Sequence, residues 1–491
     1  MKSKFSKVLS VVLSVVLVIS SFYLLYQVIR LNVLPTKFLF PLTIGVVVLD
    51  AIFILLLVYF SKNVVSKIVC IVLTLFICVA SCMGGYYISK THNVLSSITN
   101  VAKHAKNTVS VIVKESSSIK NKSQLNGVSV GSLRLNEQGS KKALKELSSE
   151  GIVLNQTEYD SMTALLEAFY NGEVDSIIIN ESSRSQILDM EAYSNFDSNT
   201  RVVYQTSYKV KNNDSATSVS DITSKPFNVL ISGSDTRGGF DENGRSDVIM
   251  VATVNPKTHT ILLTSVPRDF YVTTACDAGD RCMQGALDKI THTGIHGTNT
   301  TKRTVEQLLG IEINYTFKVG FDTVTELVDI LGGVDVYVEP GYATTTSQFS
   351  VHEGVNHLNA QQALAFARER YSYTEGDRQR TKNQQQVLMG IVKEVTKPSV
   401  ITNYAAIMDT MANTFSTTMS NEEITDLIKY QLNNNPTWKM EQYMVDGTGD
   451  TLMCAELGDA ASVMVPDQST VKMAKDKINA VLAGKSSEDV K

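Results

Sequence analysis

The sequence contains no long basic tract, and its formal net charge is -4 at pH 7. A protein that holds a nucleic-acid backbone needs a positive footprint to offset phosphate repulsion, so no nucleic-acid partner is expected. No GxxxxGK[ST] run occurs, and the glycine-rich stretch near residue 233 lacks a nucleotide fingerprint, so ATP is not indicated. His292 and His296 are four apart, but 291-THTGIHG-297 holds two glycines, no strong helix former and no third ligand nearby. Zinc is therefore not expected, and the two histidines read as loop or second-site residues. Ser232, Ser265 and Cys454 have no base at fixed spacing, which argues against a covalent serine or cysteine mechanism.

What is present begins with three apolar runs, residues 8–29, 41–60 and 66–89. At about 1.5 Å of rise per residue, each crosses a hydrocarbon core of roughly 30 Å. Lys2, Lys4, Lys7, Lys62 and Lys67 flank one side of these runs, against Arg30, Lys37 and Lys90 on the other. The larger basic count sets the N-terminus in the cytoplasm, and three crossings put everything after Lys90 outside the cell membrane. The first run reads as a retained helix, because two more apolar runs follow at once without a convincing small-residue cleavage site. Asp50, near the middle of the second run, calls for a partner, and a structural contact is its expected role. The runs lack the polar constellations of a transporter, so anchoring is their expected task, with recruitment of membrane partners as a lesser one. The few cytoplasmic residues leave no room for a DNA-binding domain.

Roughly 400 residues follow the membrane, more than one core usually holds, so two domains are expected. Residues 1–90 form the anchor, 91–108 a polar stalk, 109–215 a small α/β accessory domain, 216–225 a linker and 226–491 the main domain. In the accessory domain, 109-VSVIV-113, 174-VDSIIIN-180 and 201-RVVYQTSYKV-210 read as strands, and 140–148 and 157–170 as helices. In the main domain, 227-FNVLIS-232 is a short apolar strand, and 248-VIMVATV-254 and 260-TILLTSV-266 form a hairpin across 255-NPKTH-259. Helices at about 301–310, 320–331, 359–371 and 377–396, a strand at 334–339, another at 438–445 and a last helix at 472–484 complete it. The fold class is α/β, with three transmembrane helices, a small accessory domain and a layered domain built on a central mixed sheet. Cys276 and Cys282, six apart in the exported part, are placed to close a small loop in an oxidising compartment, the alternative being two reduced thiols.

Three clusters carry the candidate chemistry. Asp235, in 233-GSDTRGG-239, stands just past a strand end, where α/β sheets commonly place ligands, and glycines allow Asp247 of 245-RSD-247 to return beside it. Two carboxylates brought together repel unless a cation lies between them, and Mg²⁺ (or Mn²⁺), completed by phosphate oxygens and water, meets that need. A solvated acidic loop is the plain alternative. Arg268, in 266-VPRDF-270, follows the third strand of this domain, with Asp269 placed to orient it. In 366-FARERYSYTEGDRQRTKNQQQ-386, helical spacing puts Arg380 and Gln384 on one face with Asp377 one turn earlier, while Arg378 and Lys382 point away. Arg368 and Arg370 both reach one ligand only if their helix ends near Arg370. Several guanidinium forks around one group suit a diphosphate, but passive anion binding and ordinary solvated helix faces explain the same residues.

Taken together, GSDTR at 233–237, RSD at 245–247, SVPRD at 265–269, LDKI at 287–290, LGGVDVYV at 331–338, ALAFARER at 363–370 and GDRQR at 376–380 with Gln384 resemble the LytR-CpsA-Psr family. A three-segment anchor with an extra domain ahead of the catalytic one looks most like the members from streptococcal capsule loci. The resemblance implies a phosphotransferase that joins a polyprenyl-diphosphate-linked capsular polysaccharide to peptidoglycan through a phosphodiester. It implies Mg²⁺ on Asp235 and Asp247, diphosphate on Arg268, Arg368, Arg370, Arg380 and Gln384, catalysis by Arg268, Asp377 and Arg380, and support from Arg237, Arg245 and Asp269. Other capsule-synthesis membrane proteins are further expected partners. A polyprenyl-diphosphate-sugar pyrophosphatase and a non-catalytic membrane regulator are the alternatives. Asn383 stands where the family commonly has arginine, which implies altered lipid-diphosphate affinity. An apolar groove for the lipid is expected from the helices at 301–331. Changing Asp235 or Asp247 to alanine should abolish Mg²⁺-dependent turnover with the circular dichroism intact, and unchanged turnover would remove the metal assignment.

Overall fold

A computed structural model describes residues 2–60, 63–99, 104–134, 137–234, 242–276, 282–397, 406–407, 409–411 and 415–490. The chain divides into two compact units: Met1–Thr99 with Lys393–Ala412 and Ser420–Thr437, and Asn100–Val392 with Asn413–Met419 and Trp438–Lys491. In the first unit, Lys7–Leu31, Thr36–Tyr59 and Val64–Thr99 are long and apolar enough to cross a membrane. The protein is thus a multi-pass membrane protein bearing a large extramembrane C-terminal domain. The first and third helices approach closely at Gly85, where a Cβ would lie 2.4 Å from the Tyr23 ring, the small-residue contact that favours helix association in lipid. Ser21 Oγ donates to Asp50 Oδ1 at 2.9 Å, giving the intramembrane carboxyl a partner on a neighbouring helix. The helix Asn421–Asn434 joins this unit through Lys429 Nζ to Asn32 Oδ1 at 2.9 Å and Thr99 Oγ1 to Asn421 Oδ1 at 2.6 Å.

The second unit holds two sheets. The accessory sheet has β1 (His104–Lys114), β2 (Ser129–Leu133), β3 (Asn155–Tyr159), β4 (Ser176–Asn180) and β5 (Thr200–Lys211) in the order β3-β2-β4-β1-β5. Alternation along the strands gives it two buried faces. Val109, Val111, Val130 and Ile178 pack with Leu147 of α1 (Glu137–Ser149), while Ile112, Ile177 and Ile179 pack with Leu165 and Phe169 of α2 (Met162–Asn171). Two expectations are corrected here. Residues 157–159 end β3 instead of starting a helix, because Ser161 is extended and its side chain caps α2 by accepting from Ala164 N at 3.0 Å. The expected stalk, 91–108, is mostly regular structure: the third membrane helix runs to Thr99 and β1 starts at His104.

The main sheet has β6 (Phe227–Ser234), β7 (Val248–Asn255), β8 (Thr260–Ser265), β9 (Tyr315–Gly320), β10 (Phe415–Thr417) and β11 (Lys439–Met444) in the order β10-β9-β6-β7-β8-β11. Leu230, Ile249, Val251 and Leu262 face a core shared with Val305 and Leu309 of α3 (Thr298–Leu309) and Ala474, Ile478 and Val481 of α7 (Gln468–Leu482). Three further helices follow, α4 (Phe321–Leu331), α5 (Ala360–Arg368) and α6 (Asp377–Val395), the last held to the sheet by Gln385 Nε2, which donates to Tyr443 O at 2.8 Å. Of the two helices at 301–331 expected to line a lipid groove, α3 turns Val305 and Leu309 to the core. The hairpin β12 (Gly447–Cys454) and β13 (Asp459–Pro466) had no counterpart in the sequence reading. Cys276 and Cys282 form a disulfide. Phe169 is fully buried, so Phe169→Ala should cost the accessory domain about 3–5 kcal/mol. Faster hydrogen exchange across β1 and β4 is the expected sign, and parent-like exchange would contradict this core.

Candidate functional site

Strand direction decides which loops meet. β7 is antiparallel to both β6 and β8, while β9 is parallel to β6 and β11 to β8. The C-terminal ends of β6, β8 and β11 and the start of β7 therefore share one edge, the usual ligand edge of such a sheet. Asp247 precedes β7, Arg268 follows β8, and Asp446 follows β11. Asp247 N donates to Gly233 O at 2.8 Å, which fixes it beside the end of β6.

Helix α6 delivers the remaining groups to this edge. Arg378, expected to point away from the cleft, reaches back to it: Nε donates to Asp446 Oδ1 at 2.7 Å and Nη2 to Gly447 O at 2.8 Å, holding the first helical turn in place. Lys382 turns elsewhere, to Glu375 at 3.5 Å. Asn383 is buried, donating to Phe366 O at 3.0 Å and accepting from Gln379 Nε2 at 2.9 Å. It faces the core and steadies the last turn of α5. The opposite side of α6 carries Asp377 and Arg380, which pair with each other, and Gln384 one turn on.

At the centre, Arg268 Nη1 donates to Asp247 Oδ1 at 2.8 Å, and Arg268 Nε lies 3.8 Å from Asp269 Oδ2. Lys289 Nζ holds the other Asp269 oxygen at 3.2 Å. The side chains of Arg268, Asp247 and Arg380 are only 16%, 14% and 13% exposed, so their fields are weakly screened. Burial is the largest influence on Arg268 and lowers its pKa, but Asp247, Asp269 and Asp377 outweigh it and the guanidinium stands above its ordinary value. Arg380 stands below its ordinary value, first through burial, then because Arg268 and Arg370 oppose the help of Asp377 and Asp247. The same forces show that these six residues occupy one neighbourhood. Arg370 stacks on Tyr371 at 4.6 Å, and Arg368 is exposed at the end of α5, which stops at Arg368 instead of running on to 371. Asp235 and Arg237 lie outside the described residues.

The donors are incompletely used. Nε of Arg245, Nε of Arg268, Nε of Arg380 and Oγ of Ser234 are buried without a hydrogen-bond partner among the described residues. A buried unpaired donor costs about 1–3 kcal/mol, and more when charged. Three guanidinium N–H groups without acceptors at one edge are able to donate to an oxyanion. For a metal, the described residues contain no group of three or more His, Cys, Asp or Glu able to hold one. They offer Asp247, whose Oδ1 accepts from Arg268. One carboxylate with phosphate oxygens and water is an ordinary Mg²⁺ donor set, so the chemistry fits.

Sequence reading missed the support beneath Asp247. Ser246 Oγ is hydrogen-bonded to Ser232 Oγ at 2.9 Å and Thr301 Oγ1 at 3.1 Å, and Ser246 N donates to Thr291 O at 3.0 Å. Asp288 of the LDKI motif is buried, and its Oδ1 is 2.7 Å from His292 Nδ1 while its Oδ2 accepts from Glu456 N at 2.7 Å. Asp288 and His296, whose Nε2 lies 2.9 Å from Glu456 Oε2, thus tie the segment 288–296 to the turn of the β12–β13 hairpin. Cys454 is fully buried, and burial first, then Asp288, pushes its thiol up to about 12, which suits a packed side chain and not a nucleophile.

A model described as the LytR_cpsA_psr family matches residues 192–480. The chain is 31% identical over 241 residues to a Bacillus cereus protein named polyisoprenyl-teichoic acid–peptidoglycan teichoic acid transferase TagU, covering 48% of this chain and 76% of that one. It is 34% identical over 203 residues to the Bacillus subtilis protein of the same name, covering 41% and 63%. The crystal structure of B. subtilis TagU aligns at 28% identity and a TM-score of 0.41, over 52% of this chain and 97% of that one. A Cβ at Gly294 would lie 2.5 Å from Gly244 O and 2.6 Å from Ser246 N. Gly294→Ala should therefore shift Asp247 and weaken pyrophosphate binding at least tenfold, and an unchanged titration would show that this contact does not position the site.

Proposed function

This chain belongs to the LytR-CpsA-Psr family, and from that premise we propose that its extramembrane domain transfers a glycopolymer from a polyprenyl-diphosphate carrier to peptidoglycan. The observation that carries the reading is the set of three buried arginine Nε–H groups without acceptors, gathered where the strand ends meet. An acceptor sugar hydroxyl attacks the phosphorus bearing the polymer. A new O–P bond forms, the bond from that phosphorus to the bridging oxygen breaks, and polyprenyl phosphate leaves, so the polymer ends on its acceptor through a phosphodiester.

Each residue has a part in that reading. Arg268 and Arg380 donate to the diphosphate and offset the charge that gathers on the bridging oxygen. Arg370, Arg368 and Gln384 extend the clamp along the ends of α5 and α6. Asp377 takes the hydroxyl proton, its position set by the pair it makes with Arg380. Asp247, together with Asp235, would hold Mg²⁺, which when bound supplies further neutralisation of the leaving phosphate.

For the polymer itself, a capsular polysaccharide is the finer proposal. It rests on the architecture, a three-helix anchor and an additional domain ahead of the catalytic one. The anchor is also where other capsule-synthesis membrane proteins would meet the chain. The purified chain, given a polyprenyl-diphosphate oligosaccharide and a peptidoglycan fragment with Mg²⁺, should yield a phosphodiester-linked adduct by mass spectrometry. Arg268→Ala and Arg380→Ala should each weaken lipid-diphosphate binding by about 1.5–3 kcal/mol. Free sugar phosphate as the sole product would instead make the protein a pyrophosphatase, and tight binding with no product would make it a regulator.

A further inference from the structure

A cavity of about 350 Å³ lies between the accessory domain and the main domain, and Asp247 is part of its wall. The accessory wall includes Glu181, Ser182, Arg184 and Ser185, with Val202 at the rim, and the opposite wall is the segment 242–245. The two walls are joined by specific contacts. Glu242 is buried, accepts from Thr108 Oγ1, lies 3.2 Å from Lys106 Nζ, and its carbonyl accepts from Lys318 Nζ at 2.8 Å. Arg245 pairs with Asp189, at the end of the short helix that starts at Arg184. A second junction, Met162 N donating to Leu457 O at 3.0 Å, holds the accessory domain to the β12–β13 turn.

The lining selects a chemical class. Each charged side chain of the lining has an opposite charge beside it: Lys106 with Glu242, Arg184 with Glu181 and Asp197, Arg245 with Asp189, and Asp247 with Arg268. A wall so balanced does not favour a polyanion. It is also too polar for a lipid, since Val202 is its one aliphatic side chain. A neutral hydroxyl is also left without a partner: Ser182 Oγ is buried with no hydrogen bond among the described residues. The volume sits at the low end of ordinary small-molecule pockets, room on the order of one or two sugar rings.

We propose that this cavity is a saccharide subsite, in which the accessory domain and the segment 242–247 together hold a pyranose of the glycan next to the diphosphate. The inference rests on the proposed transfer reaction, because Asp247 faces the cavity on one side and Arg268 on the other. Sugar hydroxyls and N-acetyl groups supply both donors and acceptors, which the mixed wall of amide, hydroxyl and paired charge can answer. The sugar comes either from the polymer on the lipid carrier or from the muramic acid acceptor, and the subsite gives the accessory domain a part in choosing between glycans.

Val202 is 43% exposed and Ser185 lies on a different part of the accessory wall, so Val202→Trp and Ser185→Trp each fill the cavity from an independent direction. Three probes are titrated into the full chain: a short-chain polyprenyl diphosphate without sugar, the same lipid carrying a disaccharide, and an N-acetylglucosamine–N-acetylmuramic acid disaccharide. The quantity read is the affinity for each sugar-bearing probe relative to the sugar-free lipid. At least a tenfold fall of that ratio in both variants is expected. Loss confined to the lipid-linked probe identifies the donor sugar, and loss confined to the free disaccharide identifies the acceptor. Unchanged ratios, including equal weakening of all three probes, would overturn the subsite. Failure of the parent to bind sugar-free lipid would sink the proposed function instead. The free disaccharide then decides the cavity alone: binding by the parent that both variants lose supports it, and any other result overturns it.

Discussion

The pair between Arg268 and Asp247 is the constraint on which the site depends. Both side chains are largely buried, and an isolated buried pair gives little net stability because desolvation offsets much of the attraction. Losing one partner is another matter, at about 3–5 kcal/mol for the charge left behind. The pair's value lies in orientation. With Nη1 committed to Asp247, the guanidinium plane is fixed and its Nε donor is left open, and Asp377 does the same for Arg380. Carboxylates here act as holders of arginine forks as much as ligands in their own right.

Two layers keep that arrangement in register. Beneath Asp247, the hydroxyls of Ser232, Ser246 and Thr301 form a small buried network, closed by Gly294 at a distance no side chain would permit. Above it, α6 works as a ruler. Its inward face carries Gln379, Asn383 and Gln385, whose amides bond one another and the backbones of α5, β8 and β11, while the outward face presents Asp377, Arg380 and Gln384. The accessory domain adds a third boundary through Arg245, which stands beside Asp247 and yet pairs with Asp189 across the domain junction.

Much of the fold was legible because period-two apolar strands and uninterrupted apolar runs are local signals. The α/β class, the three membrane helices and the main strands follow from them, and locating Asp247 just before one strand and Arg268 just after another already places both at a sheet edge. Other features were not legible. The β12–β13 hairpin has weak alternation and few buried side chains, so it lacks a hydrophobic signature. The start of α2 was misread because Asn155–Tyr159 is an edge strand with polar residues, and only the cap at Ser161 separates the two elements. The Arg245–Asp189 pair joins residues 56 apart in different domains, and the turn of Asn383 toward the core depends on where α5 ends. Such contacts exist only once the sheets are assembled.

The most direct measurement is the structure of the chain solved with a short-chain polyprenyl diphosphate bound. The account predicts phosphate oxygens within hydrogen-bonding distance of Nε of Arg268 and Nε of Arg380, with the two aspartate pairs retained or exchanged for a cation. A diphosphate bound elsewhere, with both Nε groups still lacking an acceptor, would contradict it.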